Sequence, residues 1–156
     1  IVTLAKGLAG GVPIGAMLAR EPVASSFVPG NHASTFGGSA LPAAAAVATI
    51  NAIKQDNLIQ RAREMGEYFT DQLLQLQTAQ PLIKEVRGRG LMIGVEFDKP
   101  IANAVKAACL ERGVLIITVG DNILRLIPAL VITKEQIDHA LVALAGAIEE
   151  ASQGSS

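Results

Sequence analysis

One lysine is placed where its amine is suited to covalent chemistry. Lys6 follows the apolar, partly β-branched run 1–5, which predicts a buried strand. A tight backbone turn is then permitted by three glycines, Gly7, Gly10 and Gly11. A lysine held out of water at this point would keep more of its neutral, nucleophilic amine, the form that condenses with an aldehyde. The alternative is a lysine at a strand end whose amine reaches water and does no chemistry.

Two hydroxyl side chains and two glycines lie just before a predicted helix. Ser34 and Thr35 precede Gly37 and Gly38, and the alanine-rich stretch from about 41 to 54 predicts the helix. Backbone N–H groups and hydroxyls in such a place can hold the oxygens of a phosphate. The alternative is a helix N-cap beside a glycine turn.

An arginine lies inside a predicted strand. Arg125 is flanked by leucines in the run 123–127, and a guanidinium that faces a core needs a carboxylate partner. A strand would hold the guanidinium rigidly enough for a two-point contact with that carboxylate. The partner is either an Asp or Glu of the same protein or the carboxylate of a bound substrate.

Composition excludes several classes of partner. The 156 residues carry 13 basic and 14 acidic side chains, so neither nucleic acid nor an anionic membrane is an expected partner. No apolar run is long enough to span a membrane. The single cysteine, Cys109, is expected to be a buried thiol, and no second His or Cys lies near His32 to predict a metal site. These features favour the cytoplasm.

Hydrophobic periodicity predicts a mixed α/β chain that divides near a proline. The predicted elements are strands at 1–5 and 12–18, a loop at 20–32, helices at 41–54 and 57–77, a hairpin at 82–97, a helix at 100–112, strands at 114–119 and 123–127, and a helix from 133 that ends in a frayed tail at 151–156. In the hairpin, the turn is expected at Gly88–Gly90, and the apolar residues Leu91, Ile93, Val95 and Phe97 alternate with the residues between them. Thr133, with Gln136 three residues on, predicts a capping box for the last helix. Pro81 ends the second long helix, so we divide the chain into residues 1–79 and 80–156. Because the sequence opens inside a strand and without methionine, we expect it to be a fragment.

Five segments together resemble a known enzyme family. The glycine-rich stretch matches neither the G-x-G-x-x-G nor the Walker pattern. The five segments resemble the C-terminal part of the class III, pyridoxal-phosphate-dependent aminotransferases. They are TLAKGLAGGVPIGAML, HASTFGG, VRGRGLMIGVEF, ERGVLI and LRLIPALVIT. The connection PGNHASTFGG resembles the branch that acts on N-acetylornithine. The chain departs from the family's usual GGNPLA at residues 37–42, which are GGSALP.

The resemblance implies a fold. It would be the α/β fold of PLP-dependent transferases of fold type I, the aspartate aminotransferase-like type. Residues 1–79 would then be the C-terminal part of the large PLP-binding domain with its connecting helix. Residues 80–156 would be the small C-terminal domain.

The resemblance also implies roles for four residues. Lys6 would bind pyridoxal 5'-phosphate covalently and act as the catalytic base. Thr35 would hold the phosphate of the cofactor in the neighbouring subunit. Ser34 would lie against the substrate, and Arg125 would hold a substrate carboxylate.

The implied activity is transfer of an amino group from N-acetylornithine to 2-oxoglutarate in arginine biosynthesis, by a homodimer with shared active sites. Other class III donors stay open: ornithine, 4-aminobutyrate or a carrier-linked lysine precursor. A non-catalytic α/β module, in which Lys6 and Arg125 are structural, also stays open. By the resemblance, the rest of the cofactor site would precede Ile1, so the fragment alone is expected to be inactive.

Overall fold

The computed structural model describes residues 1–153 and divides the chain into two compact units, one of residues 1–57 and one that begins at Leu58. The elements in chain order are β1 (Val2–Leu4), a 3₁₀ turn (Lys6–Ala9), β2 (Ala16–Leu18), α1 (Glu21–Ala24), α2 (Ala40–Gln55), α3 (Leu58–Ala79), β3 (Ile83–Arg89), β4 (Met92–Phe97), α4 (Ala102–Glu111), β5 (Ile117–Val119), β6 (Ile123–Leu126) and α5 (Lys134–Gln153). The predicted α/β class is confirmed.

The first unit combines one short hairpin with the helix α2. β1 and β2 pair antiparallel, with Val2 opposite Leu18. The sequence analysis expected both strands to lie in an interior, and for this chain that is wrong: Val2 is 56% exposed and Leu18 54%. Within the described residues, β1 and β2 pair only with each other. Most of their apolar side chains are exposed to solvent.

The second unit holds the main core. Its four strands form an antiparallel sheet in the order β3-β4-β6-β5. Strand β4 alternates as predicted, with Ile93, Val95 and Phe97 buried and the residues between them on the opposite, outer face. Helices α3, α4 and α5 supply the rest of the core, in which Cys109 is fully buried. Burial raises the pKa of the Cys109 thiol, consistent with the expected inert thiol.

The cap of α5 was predicted correctly because it depends on few residues, whereas the hairpin turn expected at Gly88–Gly90 is shifted, since Gly88 and Arg89 still pair with β4 and of these three residues only Gly90 lies in the turn. The β3–β4 hairpin turns at Gly90 with φ of 55°, the left-handed conformation that the first residue of a two-residue turn requires. Helix α5 begins with the predicted capping box: the Thr133 N–H donates to Gln136 Oε1 at 3.0 Å, and the Gln136 N–H donates to Thr133 Oγ1 at 3.3 Å.

Three boundaries differ from the prediction. β5 starts at Ile117 rather than 114, because the ladder with β6 covers only Ile117 to Val119. α5 continues to Gln153, so the expected frayed tail is wrong for residues 151–153, and residues 154–156 lie outside the described part. The second compact unit also includes α3, because Phe69 and Leu73 belong to its core. The division at residue 79 stays a prediction for the domains of the whole protein.

Gly66→Ala is expected to destabilise the protein by at least about 2 kcal/mol. Helix α3 meets the hairpin backbone to backbone at this point, and a Cβ on Gly66 would lie 2.3 Å from the carbonyl carbon of Gly90. Thermal unfolding of the full-length variant measures the effect. Gly146→Ala in α5 is the matched control, since its Cβ would meet only the end of the Arg112 side chain, at 3.4 Å, and alanine favours the helix. Equal stability of the two variants would contradict the prediction.

Candidate active site

The backbone of Lys6 is held in an unusual conformation. Its φ is 56°, and among the described residues Asn57 is the only other non-glycine residue with positive φ. Asparagine tolerates the left-handed region, whereas a long side chain there costs roughly 1–2 kcal/mol. Such strain persists where the surrounding structure imposes it, and it is concentrated at functional sites. The conformation therefore singles out Lys6 on grounds that its sequence position alone does not give.

The turn that follows Lys6 packs on helix α2. Ala9 is buried, and Gly10 and Gly11 have φ of 61° and 110°, values that favour glycine. A Cβ on Gly10 would lie 3.6 Å from the Thr49 hydroxyl, which in turn donates to the Ala45 carbonyl at 2.9 Å. The middle of α2 thus supports the turn that carries Lys6.

The side chain of Lys6 is exposed in this chain. The sequence analysis expected a desolvated amine, and that expectation is not met, because the strand before Lys6 is itself exposed. Within residues 1–153 the amine makes no hydrogen bond or ion pair. It is therefore open to a reacting partner.

Ser34 and Gly37 build a tight turn ahead of α2. The Gly37 N–H donates to Ser34 Oγ at 3.0 Å. A Cβ on Gly37 would lie 2.8 Å from the Ser34 Cβ, so the turn closes only with glycine at this position. Neither Ser34 nor Thr35 caps α2, because Ser39 occupies the N-cap position. The alternative of a simple N-cap is therefore wrong for both hydroxyls.

Thr35 is exposed, and its hydroxyl has no hydrogen-bond partner in the part of the chain that the structure describes. Ser34 keeps its own O–H free to donate, because its oxygen accepts from Gly37. The turn that carries both hydroxyls runs directly into the N-terminus of the 16-residue α2. Free hydroxyls, close backbone and a helix N-terminus together suit an anion.

Arg125 lies on the outer face of the sheet in the second unit. Leu124 and Leu126 on either side of it are buried, whereas Arg125 is exposed, so the expectation that its guanidinium faces a core is wrong. The strand period of two places it on the solvent side. No carboxylate pairs with it within residues 1–153. Of the two partners considered, an internal Asp or Glu is not found among the described residues.

The carboxylates near Arg125 on this face are already engaged. Glu96 accepts from Lys84 Nζ at 2.8 Å and from Arg87 Nη1 at 2.7 Å. Hydrogen bonds from Lys84 and then Arg87 lower the pKa of the Glu96 carboxyl. Arg87 also contacts Glu85, at 2.6 Å. Among residues 1–153, Arg125 is thus an unpaired cation beside an ion-paired network.

The structure brings together only some of the predicted site residues. Ser34 and Thr35 share one turn, and Lys6 lies on a separate turn in the same unit. Arg125 belongs to the second unit. Sequence reasoning missed the left-handed backbone of Lys6 and the tight contact of Gly37 with Ser34. The pair Gly37-Gly38 could have indicated the contact between Gly37 and Ser34. No residue type in the sequence predicts a lysine with a strained backbone.

A cavity of about 440 Å³ in the second unit holds none of these residues. It is lined mostly by apolar residues from 113–116, 126–129 and 131–132, and Gln136 and His139 also contribute to the lining. Within residues 1–153 no three His, Cys, Asp or Glu side chains are grouped to bind a metal ion. No helix in that part of the chain is long and apolar enough to cross a membrane.

Comparison with known proteins gives consistent matches. A family profile described as Aminotransferase class-III matches residues 1–148. Acetylornithine aminotransferase of Caldanaerobacter subterraneus subsp. tengcongensis is 45% identical over 150 residues, which are 96% of this chain and 38% of that protein. Acetylornithine aminotransferase of Methanosarcina mazei is 51% identical over 141 residues, 90% of this chain and 34% of that protein. The chain thus spans well under half the length of these relatives.

Solved structures give the same result. Acetylornithine aminotransferase of Elizabethkingia anophelis superposes with a TM-score of 0.88 at 35% identity, over 95% of this chain and 40% of that one. A Toxoplasma gondii ornithine aminotransferase, in which PLP partly occupies the active site, gives 0.89 at 36% identity, over 97% of this chain and 37% of that one. These similarities confirm the fold that the sequence analysis expected.

Proposed function

The chain belongs to the class-III aminotransferase family, and from that premise we propose that its protein transfers an amino group between an amino acid and a 2-oxo acid with pyridoxal 5'-phosphate. More narrowly, we propose N-acetylornithine as donor and 2-oxoglutarate as acceptor, in arginine biosynthesis. Several similar relatives are named acetylornithine aminotransferase, which supports this choice of donor. The observation that carries the proposal is Lys6, whose backbone is strained and whose amine has no partner within residues 1–153.

The residues of this chain fit the cofactor. An aldehyde needs a free lysine amine, and Lys6 offers one. A phosphate needs hydroxyls near a helix N-terminus, and the turn at residues 34–38 offers the Ser34 and Thr35 hydroxyls directly ahead of α2, with glycine required at position 37 because a Cβ there would lie 2.8 Å from the Ser34 Cβ. When bound, the cofactor supplies an electron sink that stabilises negative charge on the substrate carbon bearing the amino group.

Lys6 has two tasks in this proposal. Its Nζ would hold the cofactor covalently through the aldehyde. Once free, the amine at Nζ would act as the general base that accepts the proton of the substrate carbon and later gives it up again. The same atom, Nζ of Lys6, would thus accept the proton and release it. A fixed backbone around Lys6 keeps that atom in place for both transfers.

The other predicted site residues bind and orient. We assign to Thr35 a hydrogen bond to the phosphate of the cofactor in the neighbouring subunit of a homodimer. Ser34, whose O–H is free to donate, would contact the substrate. Arg125, exposed and unpaired within residues 1–153, would hold a substrate carboxylate through two parallel N–H···O bonds. We place the protein in the cytoplasm.

The full-length protein, expressed from its natural reading frame and loaded with PLP, tests the donor. We expect kcat/KM for N-acetylornithine to exceed that for ornithine, 4-aminobutyrate and a carrier-linked lysine precursor, because the relatives point to that branch. Glutamate formed from 2-oxoglutarate is measured. A higher value for another donor would contradict the donor assignment alone. No transfer from any donor by a folded, PLP-loaded protein would contradict the aminotransferase proposal itself.

A further inference from the structure

One glycine in the sheet is not required by the fold. Gly94 lies in the middle of β4, where glycine weakens a strand because it has no side chain to pack. Its φ is not positive. A Cβ at this position would make only ordinary contacts, at 3.7 Å to the Arg87 carbonyl oxygen and at 3.9 Å to both Arg87 Cγ and Ile123 Cγ2. Alanine would fit here and would favour the strand.

The other glycines of the hairpin have evident structural reasons. A Cβ on Gly88 would lie 2.4 Å from the Met92 carbonyl oxygen, so glycine is needed there. Gly90 has φ of 55° and forms the hairpin turn. Gly94 has neither a close backbone contact nor a left-handed backbone, so its small size must serve something outside the sheet.

The neighbours of Gly94 indicate what that is. The strand register places Gly94 opposite Arg125 in β6 and opposite Arg87 in β3. Ile117 of β5 lies on the far side of Arg125. The four residues form one row across the outer face, in which the position without a side chain is directly opposite Arg125.

The two arginines of this row differ in their surroundings. Arg87 donates to Glu85 and Glu96. Arg125 has no carboxylate partner in the described part of the chain. In this row, the position without a side chain therefore lies between an arginine that is ion-paired and one that has no carboxylate partner within residues 1–153.

We propose that Gly94 is a specificity-determining position that leaves room beside Arg125 for the carboxylate of the amino or oxo acid substrate. The inference rests on the proposed function, in which Arg125 binds that carboxylate. Directly opposed side chains in an antiparallel pair have Cβ atoms about 4.5–5.5 Å apart. A branched side chain at position 94 would therefore cover the guanidinium and block the approach of a planar carboxylate, which needs both N–H groups.

Glutarate, a dicarboxylate that cannot be transaminated, is a suitable probe of the PLP-loaded full-length enzyme. Its Kd is measured by calorimetry for Gly94→Val, Gly94→Ala and Arg125→Lys, beside KM and kcat for 2-oxoglutarate and the thermal unfolding temperature. We expect Gly94→Val to raise the Kd and KM roughly tenfold, as loss of a charge-assisted hydrogen bond does. The change in kcat at saturation should stay within about twofold, because the proton transfers do not involve this position.

Gly94→Ala keeps the test decisive if valine perturbs the sheet. Because alanine fits, its unfolding temperature should equal or exceed that of the wild type while the glutarate Kd still rises about threefold. Met92→Val, two residues along the same exposed face, is the matched control and should leave the Kd unchanged. Unchanged Kd in Gly94→Val beside a weakened Arg125→Lys would overturn the role of Gly94 alone, as would clear destabilisation of Gly94→Ala. Unchanged Kd in Arg125→Lys would instead overturn the role of Arg125, on which the inference rests.

Discussion

Lys6→Ala is expected to lower kcat of the full-length, PLP-loaded enzyme by at least 10²- to 10⁴-fold, the range that one positioned general base typically contributes. The loss should be larger than for any other single change in this chain, because Lys6 is proposed both to bind the cofactor and to carry the proton. Lys54→Ala is the matched control: it removes an exposed lysine of the same unit, in the last turn of α2. It should keep near-normal activity.

Borohydride reduction identifies the lysine independently of turnover. The carbon–nitrogen double bond that joins an aldehyde to a lysine amine is reducible, so reduction should fix a pyridoxyl group on Lys6. Mass spectrometry of peptides from the reduced holoenzyme locates the label. A label on Lys54 or Lys106, or on no lysine, would show that the assignment of Lys6 is wrong.

A glycine at position 6 distinguishes a functional role of Lys6 from a structural one. Glycine adopts φ of 56° without strain, so Lys6→Gly should leave the thermal unfolding temperature of the cofactor-free full-length protein equal to that of the wild type or higher. Activity should still be lost, since glycine offers no amine. A loss of stability in Lys6→Gly as large as the loss of activity would instead favour a structural lysine.

The sequence predicted what local chemistry decides. Gln136 three residues after Thr133 indicates a capping box in any context, and the alternation of Ile93, Val95 and Phe97 indicates which face of β4 is buried. Helix α2 begins within one residue of its predicted start. The GGSALP departure at residues 37–42 did not displace the helix, because Pro42 falls in its first turn, where a missing N–H costs nothing.

The sequence did not predict side-chain burial and direction where these depend on residues that are distant in the chain. An apolar run such as 1–5 does not reveal whether another layer covers it, and here β1 pairs only with β2 among the described residues. Arg125 between two leucines was expected to face a core, but its direction follows from the register with β4 rather than from its neighbours in sequence. Lys6 has a positive φ in a turn that packs on α2, and no residue propensity predicts that conformation for lysine.

Thr35→Val tests whether the active site is shared between subunits. Valine keeps the shape of threonine and removes one hydrogen bond to a charged phosphate, worth about 1.5–3 kcal/mol, so cofactor affinity should fall roughly tenfold to a hundredfold. Equilibrium binding of PLP to the full-length protein, followed by absorbance, measures the fall. Thr78→Val, the same chemical change at an exposed position in α3, is the matched control and should leave the affinity unchanged.

Mixing Thr35→Val with Lys6→Ala subunits then decides where Thr35 acts. If Thr35 serves the cofactor of the other subunit, each heterodimer has one site with both lesions and one with neither. At a PLP concentration too low to load the Thr35→Val homodimer, heterodimers should therefore show about half the wild-type activity per dimer, although neither parent is active. If Thr35 instead serves its own subunit, one site lacks the lysine and the other lacks the hydroxyl. The absence of restored activity, once subunit exchange is confirmed by tagged copies, would then rule out the shared site.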